Sequence, residues 1–199
     1  TQIKVGDGHL FHYPRDPNCS ICQQSNIRDK HIRRTGSLRI GVWAMDLAFG
    51  HTCPVLVMTD MSNEHSDGES TIPKTMHAKE LPSKNAHHIR QGVLSGVFEA
   101  QYLYQIDCIR RLHMDRAPEH EQVRRALITE HYIHVTRTQG HDSSANGGAE
   151  TGICLLKNTA RASLTQANLP AFMWPKAMVH SAFAISVANR TEEQLTKVK

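Results

Sequence analysis

Three acidic side chains stand where carboxylates can do chemistry. Asp46 ends an apolar, strand-like run in Trp43-Ala44-Met45-Asp46-Leu47, and Asp115 has a similar setting in Leu112-His113-Met114-Asp115-Arg116. An acid at the carboxyl tip of a strand projects into a cleft rather than into the core. Glu150 follows Asn146-Gly147-Gly148-Ala149 and opens a long predicted helix. In a first turn the helix dipole favours a carboxylate by roughly 0.3–1 kcal/mol. Such hard oxygen donors suit Mg²⁺. Two ions roughly 3.5–4 Å apart activate an attacking oxygen and stabilise the leaving one in phosphodiester chemistry. The chain has 19 acids, so spacing alone leaves a blander alternative open: a favourable triple that arises by chance, with the glutamate in a helix's first turn for dipole reasons alone.

His9, His12, Cys19 and Cys22 form a second group, spaced H-x2-H-x6-C-x2-C. A C-x2-C pair brings two thiolates to one Zn²⁺, and two imidazoles complete a tetrahedron. The alternative is two ordinary thiols in a Pro-rich loop beside exposed histidines. Cys53, Cys108 and Cys154 lie in apolar contexts and are expected as small core residues, with Cys154, one turn past Glu150, alternatively lining the site. An odd count of five Cys argues against a secreted disulfide scaffold.

The elements that must position these groups follow from periodicity. Strands are expected over Leu38–Leu47 and Cys53–Met58, then a polar loop near Ser62–Ser70. An edge strand fits between Pro73 and Pro82. A helix is predicted over 86–103 from Ile89, Val93, Val97 and Ala100, with Gly92 and Gly96 counting against it. Tyr104–Met114 reads as a strand. Pro118 opens a helix as a first-turn proline, with Val123, Ala126 and Leu127 inward. A short strand at Tyr132–Thr136 follows. The clearest helix carries Ala149, Ile153, Leu156, Ala160 and Leu164, and a last one runs from about Pro170 to Asn189. Phe172 and Trp174 are expected to anchor that last helix in the core. Strands first, then helices interleaved with single strands, make a mixed α/β sheet layered by helices.

Charge is unevenly placed. Residues 1–40 hold seven basic and three acidic side chains, and the other 159 residues hold sixteen of each, so the net +4 lies at one end. Arg28, Lys30, Arg33, Arg34 and Arg39 fall within twelve residues. Such a run neutralises phosphates but reads no sequence. Lys157 and Arg161 follow Glu150 at offsets of seven and eleven, which brings both cations round to the acid's side of the helix. No apolar stretch approaches the ~18–20 residues of a membrane span. The first residues lack the apolar region of a secretory signal. No Gly-rich phosphate loop is present, which argues against an NTPase. The chain begins at Thr1 without an initiator Met, as a piece of a longer polypeptide would.

The segment Ser143-Ser144-Ala145-Asn146-Gly147-Gly148-Ala149-Glu150 resembles the signature around the catalytic glutamate of retroelement integrases. Leu155-Leu156-Lys157, Ala160-Arg161, Leu164, Leu169-Pro170, Trp174-Pro175 and Ala177 continue it, and the whole is similar to the integrase catalytic core of copia-type LTR retrotransposons. Asp115-Arg116-Ala117-Pro118-Glu119-His120 resembles that family's segment at the second aspartate, and Asp46 matches the first. Thr59-Asp60-Met61-Ser62 matches the Asp-x-Ser on the next strand. Between Asp115 and Glu150 lie 34 residues, one short of the usual interval. The likeness spans most of residues 9–190, strongest over 142–190 and weakest over 64–104. Departures are Ala117 for a glycine, His120 for a phenylalanine, Thr151 where a basic residue is common, and Asp142-Ser143-Ser144 before the Asn-Gly.

The resemblance implies an RNase H-like mixed sheet flanked by helices. Residues 1–25 would be a truncated zinc-module remnant, 26–37 a basic linker and 38–199 the catalytic core. Asp46, Asp115 and Glu150 would hold Mg²⁺ or Mn²⁺ for DNA end processing and strand transfer. His9, His12, Cys19 and Cys22 would hold zinc, and Lys157, Arg161, Arg28, Lys30, Arg33 and Arg34 would contact DNA. Asp60 and Asp107 are read as bystanders. A homo-oligomer on element ends and target DNA is implied, in a nuclear or cytoplasmic particle, with no membrane and no secretion. Two other readings keep the same residues: an inactive nucleic-acid-binding remnant, and an RNase H-like nuclease that only hydrolyses.

Overall fold

Alternation along the central strand decides what each face of the sheet can carry. A computed structural model of the chain describes residues 18–20, 41–50, 52–61, 75–102, 109–137 and 147–188. Its elements run β1 (Val42–Ala48), β2 (Val55–Asp60), β3 (Met76–Glu80), α1 (Ala86–Tyr102), β4 (Arg111–Met114), α2 (Pro118–His131), β5 (His134–Arg137), α3 (Gly147–Gln166), a 3-10 turn (Ala171–Met173) and α4 (Trp174–Ala188). The five strands lie in the order β3-β2-β1-β4-β5. The first three form an antiparallel meander, and β4 and β5 run parallel to β1. This is the mixed sheet expected from the order of elements.

Trp43, Met45 and Leu47 of β1, with Leu112 and Met114 of β4, enter one core with Ile89 and Val93 of α1 and Val123 and Leu127 of α2. Ala48, Val55 and Val57 enter the other core, with Leu156 and Ala160 of α3 and Met178, Ala182 and Ile185 of α4. Both faces are covered, so the strands read as nearly continuous apolar runs. By the same parity Asp46 belongs to the α3–α4 side. Asp115, one residue past Met114, falls on that side too.

Several expectations need correction. β1 runs Val42–Ala48, with residues 38–40 of the expected strand outside the described residues, and it continues past Leu47, so Asp46 is inside the strand and not at its tip. β4 begins at Arg111, while Asp107 and Cys108 fall outside the described residues. Tyr132 does not start β5. It caps α2 in the left-handed region (φ 55°) and its N–H reaches the Leu127 carbonyl. Gly96 does not weaken α1 without return: a Cβ there would lie 2.6 Å from Met58 Sδ, so its absence lets the helix approach the sheet. Phe172 is 63% exposed in the 3-10 turn and anchors nothing, whereas Trp174 is partly buried against the second core. Cys53 is half-buried and Cys154 exposed, so neither is a core residue. No described helix is long and apolar enough to cross a membrane.

α4 also stitches the edge of the sheet. The buried Ser186 hydroxyl donates to the Met76 carbonyl at 2.8 Å and accepts from the Met76 N–H at 2.7 Å. A buried backbone group left unpaired costs roughly 1–3 kcal/mol. Ser186→Ala is therefore expected to destabilise the fold by about 2 kcal/mol, seen as a lower urea midpoint with an unchanged slope.

Candidate active site

β1 and β4 pair in parallel with Val42 opposite Arg111, Trp43 opposite Leu112 and Ala44 opposite His113. Carried two residues past the paired positions, the same register would bring Asp46 opposite Asp115, just beyond the end of β4. Neighbouring strands are about 4.8 Å apart, so the two carboxylates share one end of one ladder. β4 stops at Met114 while β1 continues beside β2. From the β4 side, Asp46 therefore stands at a strand end although its own strand runs on.

α3 packs across β1 and β2 on this same face, and Glu150 lies exposed in its first turn. The acids interact electrostatically. Burial raises the Asp46 pKa above the ordinary carboxylate value, the Leu47 N–H at 2.7 Å opposes it, and the charges of Asp115 and Glu150 each push it further up. Asp115 is shifted the other way. His120 Nδ1 meets its Oδ1 in an ion pair, and that contact is the main cause of its lowered pKa. The Ala117 N–H adds a 3.4 Å contact to the same oxygen. For His120, burial pulls the pKa down, but the bonds and charge of Asp115, with a smaller effect of Glu119, outweigh it and raise it.

Among the described residues, no three His, Cys, Asp or Glu side chains are close enough together to hold a metal ion. The chemistry of the donors nevertheless fits one. Asp46, Asp115 and Glu150 are carboxylates, and a divalent cation is the species that would neutralise such charges together. The oxygen set suits Mg²⁺ or Mn²⁺ rather than a thiophilic metal.

Lys157 is half-buried and Arg161 exposed, about two and three turns along α3 from Glu150, with Arg161 reaching Asn158 Oδ1 at 3.5 Å. Asp60, at the end of β2, donates its N–H to the Thr75 carbonyl at 3.0 Å and sits away from the Asp46–Asp115 ladder end. Cys19 is half-buried, whereas His9, His12 and Cys22 lie outside the described residues, as do Arg28, Lys30, Arg33, Arg34 and Arg39.

Two site features escaped the sequence reading. His120 registered only as a departure, although a histidine in a helix's first turn can reach back to a carboxylate just before the cap. Glu121 collects Arg124, Arg125 and Arg137 at 2.9, 3.1 and 2.7 Å, and its hydrogen bonds to Arg124 and Arg125 hold its pKa down to about 2. The Arg137 bond ties the start of α2 to the end of β5, beside Asp115.

No protein-family profile matches this sequence, and no curated protein sequence matches it. Solved structures do. A chain of the simian T-cell lymphotropic virus intasome in complex with PP2A regulatory subunit B56 gamma aligns with TM-score 0.53 and 16% identity, over 86% of this chain and 55% of that one. The catalytic core domain of BIV integrase aligns with TM-score 0.50 and 16% identity, over 80% and 99% of the two chains. The HTLV-2 integrase core in complex with magnesium (trimeric form) aligns with TM-score 0.51 and 14% identity, over 75% and 86%. The fold is that of a retroviral integrase catalytic core. The integrase-like core accounts for the RNase H-like sheet and its helical layers, as the resemblance implied. Within it, the Asp46–Asp115 ladder end and the first turn of α3 share one face.

Proposed function

We propose that the chain is the catalytic core of a copia-type retroelement integrase, a polynucleotidyl transferase that processes DNA ends and joins them to target DNA. The observation supporting this is the placement of Asp46 in β1, Asp115 just past β4 and Glu150 in the first turn of α3, the helix packed over β1 and β2. Asp46, Asp115 and Glu150 would hold Mg²⁺ or Mn²⁺, and the HTLV-2 core that shares this fold is described in complex with magnesium. A divalent ion there would supply Lewis acidity and charge neutralisation for in-line displacement at phosphorus.

The chain's own residues do the rest. Asp46, gripped by the Leu47 N–H, offers a carboxylate of fixed orientation. Lys157 and Arg161 lie on the Glu150 side of α3 and attract the phosphates of an entering strand. Arg28, Lys30, Arg33 and Arg34 form a sequence-independent leash on DNA. His9, His12, Cys19 and Cys22 would bind zinc ahead of the core. The assembly is a homo-oligomer on DNA, within an element's nuclear or cytoplasmic particle.

Calorimetric titration with Mg²⁺ and Mn²⁺, run beside a DNA end-joining assay, tests this reading. Ion uptake and joined product are expected. Salt-sensitive DNA binding without ion uptake would identify a nucleic-acid-binding remnant instead. Cleavage without joining would identify a hydrolytic nuclease.

A further inference from the structure

We propose that His120 is a positioning residue for Asp115, occupying Oδ1 so that Oδ2 is left for the divalent ion. This inference rests on the metal-binding reading above. His120 is the third residue of α2, and its side chain is 2% exposed, against 41% for Asp115. One partner is therefore anchored in the core and the other stands at the surface. Nδ1 of His120 and the N–H of Ala117 both address Oδ1 of Asp115. Among the described residues no hydrogen bond engages Oδ2.

An aspartate at a strand end is otherwise free to rotate among its staggered side-chain wells. Two contacts on one oxygen, an ion pair from the ring and the Ala117 N–H, favour a single orientation, and the ring cannot move away because it is packed. Outer-sphere hydrogen bonds of this kind set how a carboxylate meets a metal, and removing one typically costs roughly 10–100-fold in affinity. The resembled motif carries phenylalanine at this place, which fills similar space but donates nothing. A buried imidazole is costly unless a polar group faces it, and the Asp115 carboxylate lies in ion-pair contact with Nδ1 of this ring.

The test is Mn²⁺ affinity of the full chain by calorimetry, with thermal unfolding measured in parallel, for wild type, His120→Phe, His120→Asn and His120→Gln. The asparagine amide puts an N–H near the Nδ1 position, whereas glutamine puts it near Nε2. His120→Phe is expected to bind Mn²⁺ roughly 10–100-fold more weakly. His120→Asn should recover most of that loss and bind at least about tenfold tighter than His120→Gln. Wild-type affinity in His120→Phe, or equal affinities in the two amide variants, would overturn the positioning role. The amide pair decides the matter even if His120→Phe does not fold. No Mn²⁺ uptake by wild type would instead remove the integrase reading on which the proposal rests.

Discussion

Glu150→Gln protein is expected to fold as wild type does and to join DNA ends more than about 100-fold more slowly in Mg²⁺, since losing even an outer-sphere partner costs up to about that much. Glu150 is exposed at the start of α3. The amide keeps the shape of the side chain and loses the negative charge. Asp46 responds as well. Glu150 is one of two carboxylates that raise its pKa, so the substitution should let Asp46 ionise at lower pH. Structural damage would therefore be an unsuitable explanation for lost activity, and the unfolding midpoint checks this directly. Strand transfer that survives at near wild-type rate would remove Glu150 from the chemistry.

Gly152→Val is the substitution expected to harm stability most, by about 3 kcal/mol, the upper part of the usual range for overpacking. A Cβ at Gly152 would lie 2.3 Å from Thr59 Oγ1 and 3.0 Å from Met76 Cε. Thr59 is completely buried in β2, so its side chain has nowhere to retreat. An ordinary helix-interior glycine behaves differently: a larger residue would stabilise it through helix propensity, by up to roughly 1 kcal/mol for alanine. The sign of the effect therefore separates close approach from backbone entropy. Thr59→Ala should relieve part of the clash, and a double-mutant cycle should show coupling of about 1–3 kcal/mol. Additive losses would mean that the two side chains do not meet.

Gly152 shows what a sequence cannot say. It follows Glu150 by two residues and counts, in periodicity, only as a weak helix former. The partner that explains it is Thr59, on a strand 93 positions earlier by residue number. The strands and helix that carry Asp46, Asp115 and Glu150 were legible from their apolar periods, although β1 runs two residues past Asp46. The identity of the α3 core face, with Ala149, Leu156 and Ala160 buried, was equally legible. The Asp115–His120 contact was not, since it depends on how a proline-started helix leaves a strand. Nor was the exposure of Phe172, where three residues of 3-10 turn rotate the ring away from the face that an unbroken helix would present.

The β1–β4 ladder carries a further consequence. Only three residue pairs hold it, and the shared face of Asp46 and Asp115 follows from their phase. A slip of one residue in β4 would turn Asp115 into the packed layer under α1 and α2 and bring a neighbour to its place. The interval between the two aspartates can thus lengthen or shrink freely in the connecting chain, provided the strand enters on the same beat. What a lineage of such chains must keep is odd-or-even timing rather than distance, and a single-residue insertion within β4 should be more damaging than a long one before it.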